Sequence, residues 1–264
     1  MSNRRLIHMA ASIQPSAYLV RTLYERQFRS STSLGRFRGV YPDFATAIAS
    51  APSGRPTGYD HEAAGQMYSD RPVFPEDYAV LFWLTPLLQR GLSVLDFGGH
   101  AGGMIDAFRI LPSWPKDVSW TIYDVEAAVR HGIDLNASRP KPQPNFVTQL
   151  EDADSAEVLL ASGSLQYCDT SLPEILGELR SMPSHIIINQ IPLHETDEFV
   201  TLQNIGTAYC AYWIRNRGRF MKSLMQAGYE LVDMWENPGK NCFIPTYPRQ
   251  TRPVYFGAYL RRTM

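Results

Sequence analysis

The chain has 264 residues, of which 44% are hydrophobic and 19% are charged. These proportions are typical of a globular protein with a packed core, and they exclude a disordered or fibrous chain. The 25 basic and 26 acidic residues nearly cancel, so no net charge favours nucleic acid or an anionic membrane as a partner. We therefore expect a small-molecule substrate, no nucleic-acid partner and no membrane partner.

The cysteines and histidines indicate a reducing compartment and no metal site. Cys168, Cys210 and Cys242 lie far apart, and an odd number of cysteines cannot form a complete disulfide framework. Such usage is typical of the cytoplasm. The six histidines show no spacing typical of zinc ligands. We therefore predict a cytoplasmic protein without a bound metal.

The first 90 residues alternate helical patterns with turns. The sequence predicts a helix over Ser16–Phe28, and Asp43 can cap a short helix that follows it. Between Glu76 and Arg90, apolar side chains recur mostly on one helical face. We therefore predict that residues 1–90 form a helical cap or lid, and that residues 91–264 form a separate cofactor-binding domain.

After residue 91, short apolar runs alternate with helical patterns, as βαβ units require. The last two runs have no helix between them, which indicates an antiparallel pair at one edge of a sheet. The seven runs are Val94–Phe97, Trp120–Tyr123, Asn145–Thr148, Val158–Ala161, Ile186–Ile188, Tyr229–Met234 and Val254–Leu260. The sequence therefore predicts an α/β fold with a doubly wound, seven-stranded sheet.

The first of these strands runs into a glycine-rich turn and then a helix, in the segment FGGHAGGM that follows Asp96. Glycines let the backbone approach a ligand closely, and the helix N-terminus favours a carboxylate or phosphate. Tight strand-to-helix connections also use glycine for steric reasons alone. The second strand ends in Asp124, whose carboxylate can accept both ribose hydroxyls. The two elements together predict a site for an adenosine-containing cofactor.

Asp96 favours a cationic cofactor over a dinucleotide. A dinucleotide prefers the G-x-G-x-x-G spacing, and a carboxylate at the end of the first strand would repel its pyrophosphate. S-adenosylmethionine (SAM) carries an ammonium and a sulfonium, which a carboxylate attracts. SAM is therefore the predicted cofactor.

Four segments spread over the chain carry a resemblance to a known family: Phe37–Tyr41, Val94–Gly99, Ala161–Tyr167 and Phe220–Val232. In these segments the chain resembles a family of class I methyltransferases that are often encoded near polysaccharide or natural-product genes. The resemblance implies a Rossmann-like class I methyltransferase domain that binds SAM. The residues it assigns to the cofactor are Asp96, Gly98, Gly99, Gly102, Asp124, Val125, Ser162, Gly163 and Ser164. His100 stands where the family usually has glycine, in a packing role or in contact with the cofactor.

Three residues are candidates for the chemistry, which needs alignment of the reacting groups and removal of a proton. His194 follows the fifth strand, where ligands bind in open α/β sheets, and is the candidate general base; a surface histidine in a polar loop is the equal alternative. Tyr167 could place its ring near the sulfonium, or pack in the core. Asn189 could supply a neutral hydrogen-bond acceptor.

Three functions are compatible with these residues. The preferred one is a SAM-dependent methyltransferase acting on a small molecule, in natural-product or polysaccharide biosynthesis. Some proteins similar to the family resemble SAM cyclases, in which the cofactor's own amine attacks its γ-carbon to give azetidine-2-carboxylate and methylthioadenosine. Asn189, Gln190 and the turn Ser162–Ser164 could surround that amine with neutral acceptors. A SAM-binding module without catalysis is the third possibility.

Overall fold

The computed structural model describes residues 16–32, 34–112, 114–138, 142–153, 155–245, 247–251 and 253–263. The chain divides into two compact units. The first contains the residues up to Gly58, Pro192–Arg217 and Lys240–Val254, and the second contains Tyr59–Ile191, Gly218–Gly239 and the residues from Tyr255 onward. The second unit thus includes the chain from Tyr59 to Arg90, whereas the sequence predicted a boundary at residue 90.

Helices and strands alternate through most of the described chain. The helices are α1 (Ser16–Phe28), α2 (Phe44–Ala49), α3 (Glu62–Gly65), α4 (Tyr78–Gln89), α5 (Gly103–Arg109), α6 (Glu126–Asn136), α7 (Leu172–Glu178) and α8 (Arg217–Gln226). The strands are β1 (Arg36–Tyr41), β2 (Val94–Phe97), β3 (Trp120–Tyr123), β4 (Asn145–Val147), β5 (Val158–Ser162), β6 (His185–His194), β7 (Phe199–Asn204), β8 (Tyr209–Asn216), β9 (Tyr229–Glu236) and β10 (Val254–Arg262). No helix of these described residues is long and apolar enough to cross a membrane.

The second unit is built on a mostly parallel sheet with the strand order β4-β3-β2-β5-β6-β10-β9. The pairs from β4 to β6 are parallel, and β9 and β10 form an antiparallel pair. Strands β2, β5 and β6 are buried along almost their whole length, as expected of parallel strands covered on both faces. The predicted α/β fold with a doubly wound, seven-stranded sheet is therefore confirmed.

One large apolar cluster holds the helices of this unit against its strands. Leu84 of α4 and Phe108 of α5 are fully buried with Ile122 of β3 and Leu160 of β5. Burial of a side chain of this size contributes about 1.5 to 3 kcal/mol. The cluster therefore fixes the strands whose carboxyl ends carry the predicted cofactor residues.

The first unit contains three antiparallel strands that the sequence did not predict. Strand β7 pairs with both β1 and β8, and the last residues of β6 pair in parallel with β8 through Leu193 and Arg215. Strand β1 lies where only helices and turns were expected. Its single buried residue, Phe37, gives too short an alternation to mark a strand.

Asn204 is the centre of a buried hydrogen-bond group in the first unit. Its Nδ2 donates to the carbonyls of Phe28 (2.6 Å) and Ser30 (2.8 Å). Its Oδ1 accepts from the backbone N–H of Gly206 (2.6 Å) and from Arg55 (3.0 Å). The side chain is completely buried, so it joins the end of α1 to β7 without competition from water.

Replacing Asn204 by alanine should leave several buried polar groups unsatisfied. We expect the Asn204→Ala variant to lose about 3 kcal/mol of unfolding free energy, measured by urea denaturation. The control is Asn145→Ala, at an exposed asparagine of β4, which should change stability by less than about 0.5 kcal/mol. Equal effects of the two substitutions would contradict this account of Asn204.

Candidate functional site

The glycine-rich loop packs directly against the turn that follows β5. Gly98 has φ of 73°, and a Cβ at this position would overlap the side chain of Ser164. Ser164 in turn donates its hydroxyl to the carbonyl of Phe97 over 2.6 Å. Because the conformation is left-handed and no side chain fits, only glycine is tolerated at residue 98. The structure therefore brings two predicted cofactor segments together at the carboxyl ends of β2 and β5.

Asp124, which follows β3, holds the same loop from the other side. Its Oδ2 accepts the backbone N–H of His100 over 2.8 Å, and its Oδ1 accepts the N–H of Val125 over 2.7 Å. A carboxylate has about four lone-pair positions, so acceptor capacity for two hydroxyl donors is left over. Gly102 ends the same loop, just before α5. Gly102 and Asp124, both predicted to bind the cofactor, therefore lie on the loop and at the neighbouring end of β3.

Asp96 is a buried carboxylate behind the loop. Its side chain is 1% exposed and accepts a hydrogen bond of 3.2 Å from the indole of Trp120. Burial is the main reason that the pKa of Asp96 is raised to about 7; the Trp120 bond opposes the shift, and the charge of Asp124 adds to it. Gly99 lies against this carboxylate, since a Cβ there would overlap its oxygens. The close packing keeps water away from Asp96.

The electrostatics of the site favour a cationic ligand. Burial also raises the pKa of Asp124. Among the residues that the structure describes, neither Asp96 nor Asp124 forms an ion pair with a cationic side chain. Arg71, which acts on Asp96 from a distance, is paired with Asp77 instead. A ligand cation beside these carboxylates would therefore stabilise their ionised forms.

His100 connects the loop to helix α3. It has φ of 55°, a conformation that costs a non-glycine residue about 1 to 2 kcal/mol. Its Nε2 lies 2.9 Å from the carbonyl of Ala64, and because a carbonyl only accepts, Nε2 carries the proton. Burial lowers the pKa of His100, so the ring is neutral. The ring therefore binds the glycine-rich loop to α3. Its buried Nδ1 has no hydrogen-bond partner within the described ranges.

The residues around α3 form a segment, here called the strap (Tyr59–Ser69), that contacts several parts of the site. Asp60 accepts the N–H of Ala127, in the first turn of α6, over 3.0 Å. The ring of Tyr59 packs edge to face on the ring of Tyr167, with centroids 4.8 Å apart. Tyr167 thus lies in an aromatic pair close to the predicted methionine-binding turn. Its predicted role near a sulfonium stays a prediction.

Asn189 lies in the middle of β6, where it pairs with Ser162 at the end of β5. Its Nδ2 donates to the carbonyl of Glu76 (3.0 Å) and lies 3.4 Å from the Ser162 hydroxyl. Its Oδ1 accepts from the indole of Trp235 (3.1 Å) and from Asn237 (2.9 Å). These four bonds use the whole capacity of the amide. The structure therefore gives Asn189 a structural role, and a further role in catalysis stays a prediction.

His194 is engaged on both ring nitrogens within the first unit. Nδ1 accepts the backbone N–H of Asp197 over 2.9 Å, which places the proton on Nε2, 2.9 Å from the carbonyl of Arg249. No ring nitrogen is left to accept a proton from a substrate in this arrangement. The geometry favours the alternative that the sequence left open, a histidine that orders a polar loop, and general-base catalysis by His194 stays a prediction.

Two glutamines lie near the turn after β5: Gln190, which the sequence suggested only as a neutral acceptor for cyclisation, and Gln166, which was not singled out. Gln166 and Gln190 both have buried side chains, and both approach Gly163. Gln166 lies inside the segment Ala161–Tyr167, which carried the family resemblance. That membership was the signal in the sequence that could have identified Gln166 as a site residue. Among the described residues, no group of three or more His, Cys, Asp or Glu side chains is arranged to hold a metal ion.

Comparison with known proteins finds similar folds without assigning a family. A methyltransferase of Mesorhizobium loti described as SAM-dependent shares 14% identity at a TM-score of 0.47, over 71% of this chain and 98% of that one. The magnesium protoporphyrin IX methyltransferase of Synechocystis, with bound SAM, shares 12% at 0.45, over 75% and 88%. The mitomycin 7-O-methyltransferase MmcR shares 16% at 0.40, over 70% and 55%. Similarities this weak do not assign a function to the chain.

No protein-family model and no curated protein sequence matches the chain. The function must therefore be argued from the site itself.

The buried carboxyl of Asp96 predicts a pH dependence of stability. The pKa is about 3.9 in an unfolded chain and about 7 in the fold, so between these values the native state retains a proton that the unfolded state has lost. Stability therefore falls as pH rises through this window. We expect Asp96→Asn to gain about 1 to 3 kcal/mol over the wild type between pH 5 and pH 8, measured by urea unfolding at each pH.

The control for this series is Asp134→Asn, at an exposed carboxylate of α6. Its stability should follow the wild-type pH profile. A constant difference between Asp96→Asn and the wild type across the range would show that Asp96 ionises normally in the fold.

Proposed function

We propose that the chain binds SAM at the carboxyl ends of β2, β3 and β5 and transfers its methyl group to a small molecule. The observation that supports this most directly is the pair of carboxylates, Asp96 and Asp124, beside a glycine-rich loop. Neither has a cationic partner among the described side chains, and both have a raised pKa. SAM carries ribose hydroxyls, which can donate hydrogen bonds to these carboxylates, and two positive charges, which the carboxylates attract.

Each part of the site has a task in this proposal. Asp124 would accept the ribose hydroxyls with its remaining lone pairs. Asp96, held behind the loop by Trp120, would attract the cationic end of the cofactor without contacting water. The turn Ser162–Ser164 would face the methionine part. Bound SAM supplies a methyl carbon activated by its sulfonium, so the protein's contribution is to align the acceptor and exclude water.

The strap would close the adenosine side of the site. Its contacts to His100 and Ala127 reach the loop that follows β2 and the helix that follows β3. A segment that packs over a bound ligand excludes water from the site. The attraction between the carboxylates and a cationic ligand is then stronger, because it acts in a lower dielectric. The proposal includes a small-molecule acceptor and a cytoplasmic location, both expected from the composition. It also includes a role in natural-product or polysaccharide biosynthesis.

Intramolecular cyclisation of SAM is the second candidate, and one observation favours it. The unpartnered oxygen of Gln166 is a neutral acceptor beside the methionine-binding turn, and a neutral acceptor does not hold an amine in its protonated form as a carboxylate does. Attack of the free amine on the γ-carbon would form the C–N bond of azetidine-2-carboxylate, break the C–S bond and release methylthioadenosine. The amine proton would pass to solvent.

The proposal is tested by measuring SAM binding calorimetrically in the wild type and in Asp124→Ala. Loss of the hydroxyl acceptors should raise Kd at least about tenfold. The matched control is Asp134→Ala, which removes an exposed carboxylate of the same charge from α6 and should leave Kd unchanged. Absence of SAM binding to the wild type would contradict both candidate functions.

The products then separate the two candidates. The wild type is incubated with SAM alone and the small molecules are followed by mass spectrometry. Formation of methylthioadenosine with a four-membered cyclic amino acid, abolished in Asp124→Ala, would establish cyclisation and overturn methyl transfer. Intact bound SAM would support methyl transfer to a separate acceptor.

A further inference from the structure

Gln166 carries a polar atom for which the fold provides no partner. The residue belongs to the short 3-10 turn Leu165–Tyr167 that follows β5, and its side chain is only 4% exposed. Within the part of the chain that the structure describes, its Oε1 is buried without a hydrogen bond. Buried acceptors are almost always satisfied in native proteins, by the protein, by water or by a ligand. An exception at the edge of a binding site therefore points to a ligand.

The orientation of this amide is fixed by its other end. Nε2 lies 2.7 Å from the carbonyl oxygen of Gly163. A carbonyl can only accept, so the nitrogen faces Gly163, and the atom left over is the oxygen. Gln166 thus offers a neutral acceptor to whatever approaches the turn after β5.

Gln190 approaches the same point from β6. A Cβ built on Gly163 would lie 3.5 Å from Gln190 Oε1 and 3.9 Å from Gln166 Nε2, so both amides border the space beside Gly163. Gln190 is held at φ of 58° inside a strand. Non-glycine residues persist in this conformation where the surroundings dictate it, and they cluster at ligand sites.

The position of this space identifies its occupant. Gly163 lies between Ser162 and Ser164, and Ser164 packs against the glycine-rich loop through Gly98. In open α/β sheets this edge, at the carboxyl ends of the strands, is where ligands bind. We propose that Gln166, with Gln190 beside it, accepts a hydrogen bond from the α-amino group of the cofactor's methionine part. The inference rests on the proposed binding of SAM.

The assignment to an amino group follows from the chemistry of the two ends of methionine. An amide oxygen attracts an N–H donor and repels a carboxylate, so the carboxylate end of methionine cannot be the partner of Gln166 Oε1. Asp96, buried behind the loop, acts on the same positive charge from a distance. The glutamines would supply the direct contact that fixes the direction of the amine.

The test compares two probes that differ by the amino-acid part. S-adenosylhomocysteine carries the α-amino group, and methylthioadenosine lacks it while keeping the adenosine. In Gln166→Leu, which has a similar volume but no acceptor, we expect Kd for S-adenosylhomocysteine to rise about tenfold and Kd for methylthioadenosine to stay within about twofold. A general distortion of the turn would weaken both probes, so the split between them is specific to the amino-acid part, whose carboxylate an amide oxygen does not bind.

Gln166→Glu is the rescue variant, because it retains acceptor oxygens at the same position. It should bind S-adenosylhomocysteine at least as tightly as the wild type, with the fold checked by circular dichroism, and this result decides the matter if the leucine variant does not fold. Equal changes for both probes in Gln166→Leu would overturn the inference. So would weaker binding of S-adenosylhomocysteine in Gln166→Glu with methylthioadenosine binding unchanged, since a distorted turn would weaken both. A wild type that binds neither probe would instead overturn the proposed function, and the inference with it.

Discussion

The burial of Asp96 is the constraint on which the rest of the site depends. A carboxylate that is 1% exposed and has a single indole donor is costly to ionise in the fold, as its raised pKa shows. The strand that carries it, β2, lies in the middle of the sheet, between β3 and β5. The protein could relieve this cost with a cationic side chain, yet its described residues form no ion pair with Asp96. The site is therefore destabilised in a way that a cationic ligand would reverse.

The polar groups around this carboxylate divide into two kinds. Some bonds only build the site: the Asn189 amide joins β6 to Trp235 and Asn237 and is fully used. Other groups retain unused capacity, among them the oxygens of Asp124 and the Oε1 of Gln166. A sequence pattern cannot separate the two kinds, because an asparagine and a glutamine at neighbouring strand ends look equally suited to binding. Hydrogen-bond accounting in the structure separates them.

Much of the second unit could be predicted from the sequence because its signals are local. The apolar runs of β2, β3 and β5 are continuous, and a capping box at Ser171, which is a local signal, begins α7. The antiparallel pair β9 and β10 follows from two runs with no helix between them. In contrast, β1 pairs with β7, which lies far from it in the chain, and the alternation in β1 is too short to detect. Strands β7 and β8 follow each other directly and form an antiparallel pair that the sequence did not predict. The strap lies within the predicted cap or lid, but its bonds to His100 and Ala127 are tertiary and could not be predicted from the sequence.

In the proposed function, charge and hydrogen bonding divide the recognition of SAM between separate groups. Attraction by Asp96 acts over distance and has little directional preference, so it raises the concentration of a cation at the site without fixing its orientation. The neutral acceptor of Gln166 is directional and weak, so it fixes an amine without holding the proton on it. A site built only from carboxylates would keep that amine charged and unreactive. The combination leaves the amine's protonation state adjustable, and this is the chemical difference between a site limited to methyl transfer and one capable of cyclisation.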